Sequence, residues 1–184
     1  VLVLAAPPGD RLETLRAFPG VKGVMVEKPL GGGGSGLVRL AADREIPLQV
    51  HFWRRGDPTH LELADGGLRA RIGQPQAAFG LYGNGLANNG SHLIDAARML
   101  LGEPISAQAL AAPAALPNAP IKGDVQLPFA LAFPDGFVLS VQPLDFTHYR
   151  EVGLDIWGTG GRIAFRQESL SVEVFPLAPN RGLK

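Results

Sequence analysis

The sequence contains no cysteine in its 184 residues, and it has no long hydrophobic run and little charge. Without cysteine the chain forms no disulfide and has no thiolate for catalysis or zinc binding, so a reducing compartment, the cytoplasm, is the expected location. No apolar run approaches the roughly 20 residues that a membrane helix requires. These absences predict a cytoplasmic protein that does not enter a membrane.

The charges of the chain cancel, because Lys plus Arg and Asp plus Glu number 17 each. A balance of this kind does not direct a protein towards nucleic acid or an anionic membrane. Small molecules or another protein are therefore the expected partners. Only 18% of residues are charged, and a net charge of zero favours association, so we expect a homo-oligomer.

The first third of the sequence alternates short apolar runs with helical patterns. Strands are predicted at 1–5, 21–26 and 48–53, with helices at 10–18 and 37–45; Leu12, Leu15 and Phe18 should face inward. This order implies parallel strands with right-handed crossovers, as in half of a doubly wound sheet. Ligands of such sheets bind beyond the carboxyl ends of the strands. Three residue pairs are predicted there: Pro7-Pro8, Glu27-Lys28 and Arg54-Arg55.

After Asp57-Pro58 the pattern changes to a strand-rich one. A weak helical stretch at 61–72, interrupted by Gly66-Gly67, precedes a strand at 76–82 and a helix at 91–101. Further strands are predicted at 105–111, 125–133, 137–143, 152–158, 162–165 and 170–175. The turn residues Pro134-Asp135-Gly136 and 158–161 predict hairpins of an antiparallel sheet. One helix family covers one face, and the alternation of Phe129, Leu131 and Phe133 suggests that the other face packs on a second subunit.

His92 is predicted in the first turn of the helix at 91–101, with Asp95 on the same face, off the apolar stripe. Asn89 or Ser91 can cap the helix start, and Gly102 can end it. The helix dipole favours a neutral imidazole, which can accept a proton near neutral pH, whereas Asp95 has the opposite effect. In the alternative interpretation, His92 only satisfies turn backbone groups and Asp95 is an ordinary first-turn acid.

Lys28 follows a predicted strand within Glu27-Lys28-Pro29. A lysine held at a strand end can hydrogen-bond a substrate oxygen and stabilise charge on it, and the proline restricts the backbone that aims it. The alternative is a lysine in a solvated loop.

Other motifs carry less functional information. The glycine run at 31–36 satisfies G-x-G-x-x-G, but we interpret it as a flexible connector, because Lys28-Pro29 already occupies the strand end where a pyrophosphate turn belongs. Ser91 beside His92 suggests a serine hydrolase, yet sequence neighbours rarely have the required geometry and G-x-S-x-G is absent. The four histidines do not have metal-ligand spacing, so no metal site is predicted.

Four ordered segments resemble the Gfo/Idh/MocA family, named after glucose-fructose oxidoreductase and inositol dehydrogenase. They are Ala5-Ala6-Pro7-Pro8, the stretch from Val24 to Leu30, Phe52-Trp53-Arg54-Arg55-Gly56-Asp57-Pro58, and the stretch from Asn89 to Asp95. The resemblance implies an NAD- or NADP-dependent oxidoreductase that transfers a hydride between nicotinamide and a secondary alcohol of a sugar, cyclitol or related polyol.

The resemblance also implies roles for individual residues. Lys28 would contact the substrate hydroxyl and the nicotinamide ribose, and His92 would be the proton acceptor, which makes these two the catalytic residues. The cofactor-binding residues would be Pro7, Pro8, Glu27, Lys28 and Arg54. The substrate-binding residues would be Arg54, Asn88, His92 and Asp95.

Two departures from the family pattern, together with the glycine run at 31–36, favour a second hypothesis. The family often has Asp four residues before the histidine, where this chain has Asn88, which can hydrogen-bond a sugar but cannot act as a base. The chain also starts at Val1 without the family's G-x-G-x-x-G turn, so we expect a fragment that lacks the main pyrophosphate site. The alternative function is a non-catalytic binding or dimerisation module derived from the same family.

The predicted fold is α/β plus α+β, a partial Rossmann-like parallel sheet followed by an open antiparallel sheet domain. Residues 1–53 would form the C-terminal half of a Rossmann-like NAD(P)-binding domain. Residues 54–184 would form an α+β substrate and oligomerisation domain.

Overall fold

The computed structural model of the protein describes residues 1–6 and 8–178. Contacts divide the chain into two compact units, Val1–Trp53 and Arg54–Lys184, which we call the N-unit and the C-unit. The N-unit has a parallel sheet and the C-unit a mainly antiparallel one. The predicted fold class, α/β plus α+β, is confirmed.

The N-unit is a three-stranded parallel sheet in the order β1-β2-β3, with two helices. Its elements are β1 (Leu2–Leu4), α1 (Arg11–Ala17), β2 (Val24–Glu27), α2 (Gly34–Asp43) and β3 (Leu48–His51). Leu15 of α1 and Leu37 of α2 pack with Val26 in one buried cluster. Burying each of these side chains contributes about 1.5–3 kcal/mol, which holds the helices against the strands.

Two predictions for the N-unit were wrong. Phe18 does not face inward and is 52% exposed, because α1 ends at Ala17 and the apolar stripe ends with it. The glycine run is not a flexible connector throughout, since α2 begins within it at Gly34. A Cβ on Gly34 would lie 2.6 Å from the Leu30 Cβ, so close packing rather than helix propensity determines where α2 begins.

The C-unit begins with two short helices, α3 (Pro58–Glu62) and α4 (Leu68–Ile72), and continues as a seven-stranded sheet with one longer helix, α5 (Ser91–Leu101). A broad turn at Leu63–Gly67, with Gly66 at φ +94°, separates α3 from α4, as the glycine pair predicts. The strands are β4 (Pro75–Tyr82), β5 (Ser106–Ala109), β6 (Ala114–Ala115), β7 (Val125–Gln126), β8 (Phe129–Ala132), β9 (Val138–Pro143), β10 (Gly153–Gly158), β11 (Gly161–Arg166) and β12 (Ser171–Pro176).

The large sheet has the order β12-β11-β10-β4-β9-β8-β5, and β6 pairs with β7 separately. Both predicted hairpins are present, since β8–β9 and β10–β11 are antiparallel neighbours. One pair differs from the expected antiparallel pattern, because β4 and β9 run parallel, with Tyr82 opposite Pro143. Their carboxyl ends therefore meet at one edge of the sheet, the edge at which the segment leading to α5 leaves β4.

The inner face of the sheet packs on α5 and carries the main core. Phe129, Leu131 and Phe133 are 5%, 4% and 1% exposed and belong to this core together with Leu93 and Ala97 of α5. Assigning their alternation to a subunit contact was therefore wrong. Alternation reveals that one face of a strand is apolar, but not which partner covers that face.

Asp57 caps α3, and its contribution to stability can be measured. Its Oδ1 accepts hydrogen bonds from the His60 backbone N–H at 3.0 Å and lies 2.7 Å from His60 Nδ1. Asp57→Ala should lower the free energy of unfolding in urea by about 1 kcal/mol at neutral pH. Asp43→Ala is the control, because Asp43 is the last residue of α2 and not a helix N-cap. This substitution should have little effect on the free energy of unfolding.

The effect of Asp57→Ala should also depend on pH. The hydrogen bonds from His60 lower the pKa of Asp57 in the folded protein. A carboxyl group with a lowered folded-state pKa stabilises the fold above its ordinary pKa and loses this contribution as the pH falls. The difference between the wild type and Asp57→Ala should therefore be complete at neutral pH and shrink in acid. A difference that grows on acidification would contradict this assignment.

Candidate active site

In the N-unit, three predicted site residues lie at the carboxyl ends of β1 and β2. Pro8 begins a 3₁₀ turn after β1, Glu27 is the last residue of β2, and Lys28 follows it. The Lys28–Pro29 peptide bond is cis. A Cβ on Gly31 would lie 2.5 Å from the Pro8 Cβ, so the segments after the two strands are in close contact. Pro7 lies outside the described residues.

Arg11 holds this edge of the N-unit together. Its side chain is buried, and its Nε donates to the carbonyl oxygen of Ala6 at 2.8 Å. Its Nη1 donates to the carbonyl oxygens of Glu27 at 2.5 Å and Pro29 at 2.7 Å. Burial lowers the pKa of Arg11, and the Glu27 carboxylate opposes this shift. The guanidinium thus binds the backbone on both sides of Lys28 and fixes the segment that carries it.

In the C-unit, His92 lies in α5, but not at a free helix start. A wide helical turn, Leu86–Gly90, precedes α5 without a break, and the Asn89 and Gly90 N–H groups both donate to the carbonyl oxygen of Gly85 at 3.0 Å. The prediction that Asn89 or Ser91 caps the helix was wrong. It also follows that the dipole argument for a neutral His92 is weakened, because the effect falls off within the first turn.

Asp124 caps this turn. Its Oδ1 accepts from the Ala87 N–H at 2.9 Å and its Oδ2 from the Asn88 N–H at 3.0 Å. The carboxylate is 7% exposed and belongs to the segment that precedes β7. The backbone of the predicted substrate residue Asn88 is therefore held by an acid 36 positions later in the chain.

Ser91 is not arranged as a nucleophile. Its hydroxyl donates to the carbonyl oxygen of Asn88 at 2.7 Å, so its proton serves the turn. In a serine hydrolase the same proton would be donated to a histidine. The geometry favours a structural role for Ser91 over the hydrolase hypothesis.

Asp95 lies one turn beyond His92 and is paired with Arg55. Both carboxylate oxygens accept from Arg55 Nε, at 2.8 and 3.0 Å, and Asp95 is 6% exposed. This pair ties the segment that enters the C-unit to α5. The positive charge of Arg55 offsets the negative charge of Asp95 within the C-unit.

Arg54, predicted to contact cofactor and substrate, is 4% exposed and holds the turn between β11 and β12. Its Nε donates to Ser169 Oγ at 2.9 Å and its Nη2 to the carbonyl oxygen of Glu168 at 2.5 Å. Burial lowers the pKa of Arg54 to about 10, and the carboxylates of Glu168 and Asp95 oppose the shift. Gln167, Glu168 and Ser169 all have positive φ, a backbone conformation that non-glycine residues rarely adopt. A role for Arg54 in ligand binding stays a prediction.

Sequence reasoning did not identify Arg11 or Asp124 as contributors to these arrangements, and it named Arg55 without its pairing to Asp95. Arg11 could have been found, because it lies four positions before the buried Leu15 and so occupies an inward helix position. Nothing local in the sequence marks Asp124 as the cap of this turn, since the turn residues that it binds are 36 and 37 residues away.

Within residues 1–6 and 8–178, no cluster of three metal-ligating side chains occurs. No helix in that part of the chain has the length and apolar character needed to cross a membrane. A cytoplasmic location stays a prediction.

Comparisons with known proteins connect the C-unit with a family and the whole chain with known structures. A family model described as the GFO/IDH/MocA C-terminal domain matches residues 54–164. No protein of curated function matches the sequence.

Three solved structures illustrate the structural similarity. The WlbA dehydrogenase from Bordetella pertussis, in complex with NADH and UDP-GlcNAcA, is 19% identical over 98% of this chain and 60% of that one, with a TM-score of 0.74. Levoglucosan dehydrogenase with NADH and levoglucosan is 22% identical over 100% and 59%, with a TM-score of 0.76. An NAD binding oxidoreductase from Klebsiella pneumoniae is 19% identical over 98% and 58%, with a TM-score of 0.73.

At these identities the similarity establishes a common fold. The chain spans about 60% of the length of these structures.

The structural role of Arg54 can be separated from its predicted ligand contacts. Ser169→Ala removes one acceptor of Arg54 and should lower the free energy of unfolding by about 1 kcal/mol. Arg54→Met removes both donors and should cost more, about 1–3 kcal/mol for each buried acceptor left without a hydrogen bond. Urea denaturation measures both effects. If Arg54→Met were no less stable than Ser169→Ala, Arg54 would not hold the turn.

Proposed function

The chain belongs to the Gfo/Idh/MocA family, and from this membership we propose that it takes part in NAD- or NADP-dependent oxidation of a secondary alcohol on a sugar, cyclitol or related polyol. The observation that carries the proposal is the family match over 54–164, which includes Asn88, His92 and Asp95. The solved relatives with bound NADH carry sugars or a sugar nucleotide: UDP-GlcNAcA, levoglucosan and L-sorbose. These ligands support a sugar-like substrate.

The N-unit fits the nicotinamide cofactor. Its parallel strands direct their carboxyl ends to one edge, which is where such sheets bind nucleotides. Pro8, Glu27 and Lys28 lie at that edge, and the contact between Gly31 and Pro8 leaves no room for a side chain at position 31. We propose that these residues, with Pro7 and Arg54, hold the cofactor. The cofactor supplies the acceptor for the hydride.

The residues of the chain supply the proton chemistry and the binding of the alcohol. In the proposed reaction the Lys28 ammonium donates a hydrogen bond to the substrate oxygen and stabilises the negative charge that develops there. The His92 imidazole accepts the hydroxyl proton as general base. Asn88, Asp95 and Arg54 bind the other hydroxyl groups. Arg11 keeps the backbone around Lys28 in place through the carbonyl oxygens of Glu27 and Pro29.

The proposal predicts that Lys28→Met abolishes turnover without unfolding the protein. Turnover is followed by nicotinamide absorbance with a panel of sugars and cyclitols and either NAD or NADP. The rate should fall by at least about 10²-fold, as after loss of one charge-stabilising donor. Lys22→Met, an exposed lysine of the same unit, is the control. Undiminished turnover in Lys28→Met would contradict the role of Lys28.

The second candidate is a non-catalytic binding or dimerisation module, and Asn88 favours it because an amide cannot replace a carboxylate as a base. The two candidates differ in cofactor binding. Addition of NADH to the purified chain should raise its melting temperature and change nicotinamide fluorescence if it is an oxidoreductase. No change with NADH or NADPH would favour the module.

We further propose that the outer face of the large sheet packs against a second copy of the chain. Phe79, Val138, Trp157 and Phe175 are 37–45% exposed there. The guanidinium of Arg162 lies 5.0 Å from the ring centroid of Trp157 and 5.2 Å from that of Phe175, and it is hydrogen-bonded to Asp155. Asp155 also pairs with Arg166 at 2.8 Å, so the charges at the centre of this face are partly neutralised within the chain before a second copy packs on it.

Trp157→Glu should therefore convert an oligomer into a monomer, because it would bury a carboxylate in the contact. Sedimentation velocity measures the change. Leu61→Glu, at an exposed apolar position of α3, is the matched control and should leave the sedimentation coefficient unaltered. A wild-type chain that is monomeric at all concentrations would refute this contact.

A further inference from the structure

We propose that Asp124 is a positioning residue for the active site, which acts by fixing the turn that carries Asn88 and leads to His92. This inference rests on the proposed function, because it concerns the same catalytic residues.

The first argument is the number and location of the hydrogen bonds. Asp124 accepts from the N–H groups of Ala87, Asn88 and Val125, at 2.9, 3.0 and 2.9 Å. Ala87 and Asn88 lie in the opening of the helical turn, where N–H groups have no acceptor within the helix. One buried carboxylate thus satisfies two of these donors and the N–H of the next residue, Val125. Loss of the carboxylate would release the turn at Asn88 itself.

The second argument is that the backbone opposite Asp124 is shaped to admit the carboxylate. Gly85, which starts the turn, has φ +99°, and a Cβ at this position would lie 2.0 Å from Asp124 Oδ2. Any side chain at position 85 would be strained and would displace the acid. Gly85 and Asp124 therefore form a matched pair, although they are 39 residues apart.

The third argument is that the segment bearing Asp124 is itself anchored. The Tyr82 hydroxyl donates to the carbonyl oxygen of Leu127 and accepts from its N–H, both at 2.9 Å. Tyr82 is fully buried, and burial raises its pKa, which keeps the hydroxyl proton available for donation. Gln126 Nε2 also donates to the carbonyl oxygen of Leu144, at 3.1 Å. Asp124 is thus held against the edge where β4 and β9 end.

These contacts link three segments that are distant in sequence: the turn before α5, the segment at 124–127 and the end of β9. The hydroxyl of Ser91 adds a bond to the carbonyl oxygen of Asn88. Asn88 is therefore held at its N–H by Asp124 and at its carbonyl oxygen by Ser91. The backbone of His92, which follows Asn88 about one helical turn later, is restrained by the same contacts.

The test replaces Asp124 with Asn, which preserves the size of the side chain but places an NH₂ group against backbone donors. In the wild type the Ala87 and Asn88 amides should exchange with solvent slowly. In Asp124→Asn the amide that faces the new NH₂ group should lose this protection, because the single side-chain oxygen of Asn can still accept from the other. The imidazole NMR signals of His92 should shift, while those of His60, in α3 of the same unit, should stay in place. Asp145→Asn is the matched control, because Asp145 accepts from the Thr147 N–H in an exposed loop.

Activity gives an independent readout. In Asp124→Asn the kcat for alcohol oxidation should fall by about ten- to a hundredfold through misplacement of the catalytic groups. The KM for NAD or NADP should be unchanged, because none of the Asp124 bonds involves the residues proposed to hold the cofactor. Because a smaller folded fraction would also lower the apparent kcat at unchanged KM, kcat is calculated per folded molecule, with the folded fraction measured by circular dichroism.

Gly85→Ala provides a second variant that leaves the carboxylate chemically intact. It should reproduce the loss of amide protection and the shift of His92, and it decides the question if Asp124→Asn does not fold. Fast exchange of the Ala87 and Asn88 amides in the wild type, or equal shifts of His60 and His92 in the variants, would overturn the proposal. A wild type without turnover would refute the proposed function, whereas the exchange and imidazole measurements would still decide the role of Asp124.

Discussion

Backbone groups at the ends of strands and helices lack partners within their own elements, and in this protein buried charged side chains provide them. Arg11 binds carbonyl oxygens that follow β1 and β2. Arg54 binds the carbonyl oxygen of Glu168. Asp124 binds the N–H groups at the opening of the turn before α5. A buried backbone group without a hydrogen bond costs about 1–3 kcal/mol, so these three side chains determine which loop conformations the fold can keep.

The same interactions support the backbone next to the proposed site residues. Each of the three lies next to a segment with a predicted functional residue: Arg11 beside Lys28, Asp124 beside Asn88, and Arg54 beside the Arg55–Asp95 pair on the His92 helix. A charged group that is already committed to backbone partners makes a rigid support. Buried charges thus hold the backbone beside the residues that we propose to bind substrate and cofactor.

The family could be recognised from short segments, although overall identity to the solved relatives is near 20%. The segments from Val24 to Leu30 and from Asn89 to Asp95 are local in sequence and keep their order, so they stay recognisable when the packing residues around them change. Supports such as Asp124 and Arg11 do not form such segments. Their contribution depends on partners elsewhere in the chain, and a comparison of local motifs does not detect it.

The sequence by itself determined most secondary elements, the parallel sheet of the N-unit, the hairpins of the C-unit and the helix that carries His92. The elements and hairpins follow from apolar periodicity and turn residues within about ten positions, and the parallel pairing follows from the alternating order of strands and helices. Tertiary structure decided the parallel pairing of β4 with β9, the burial of Phe129 and Leu131 against α5, the helix start inside the glycine run, and the capping of the His92 turn by Asp124. These four features depend on contacts between residues that are far apart in the chain. A local stretch of sequence does not indicate which distant surface or hydrogen-bonding group will contact it after folding.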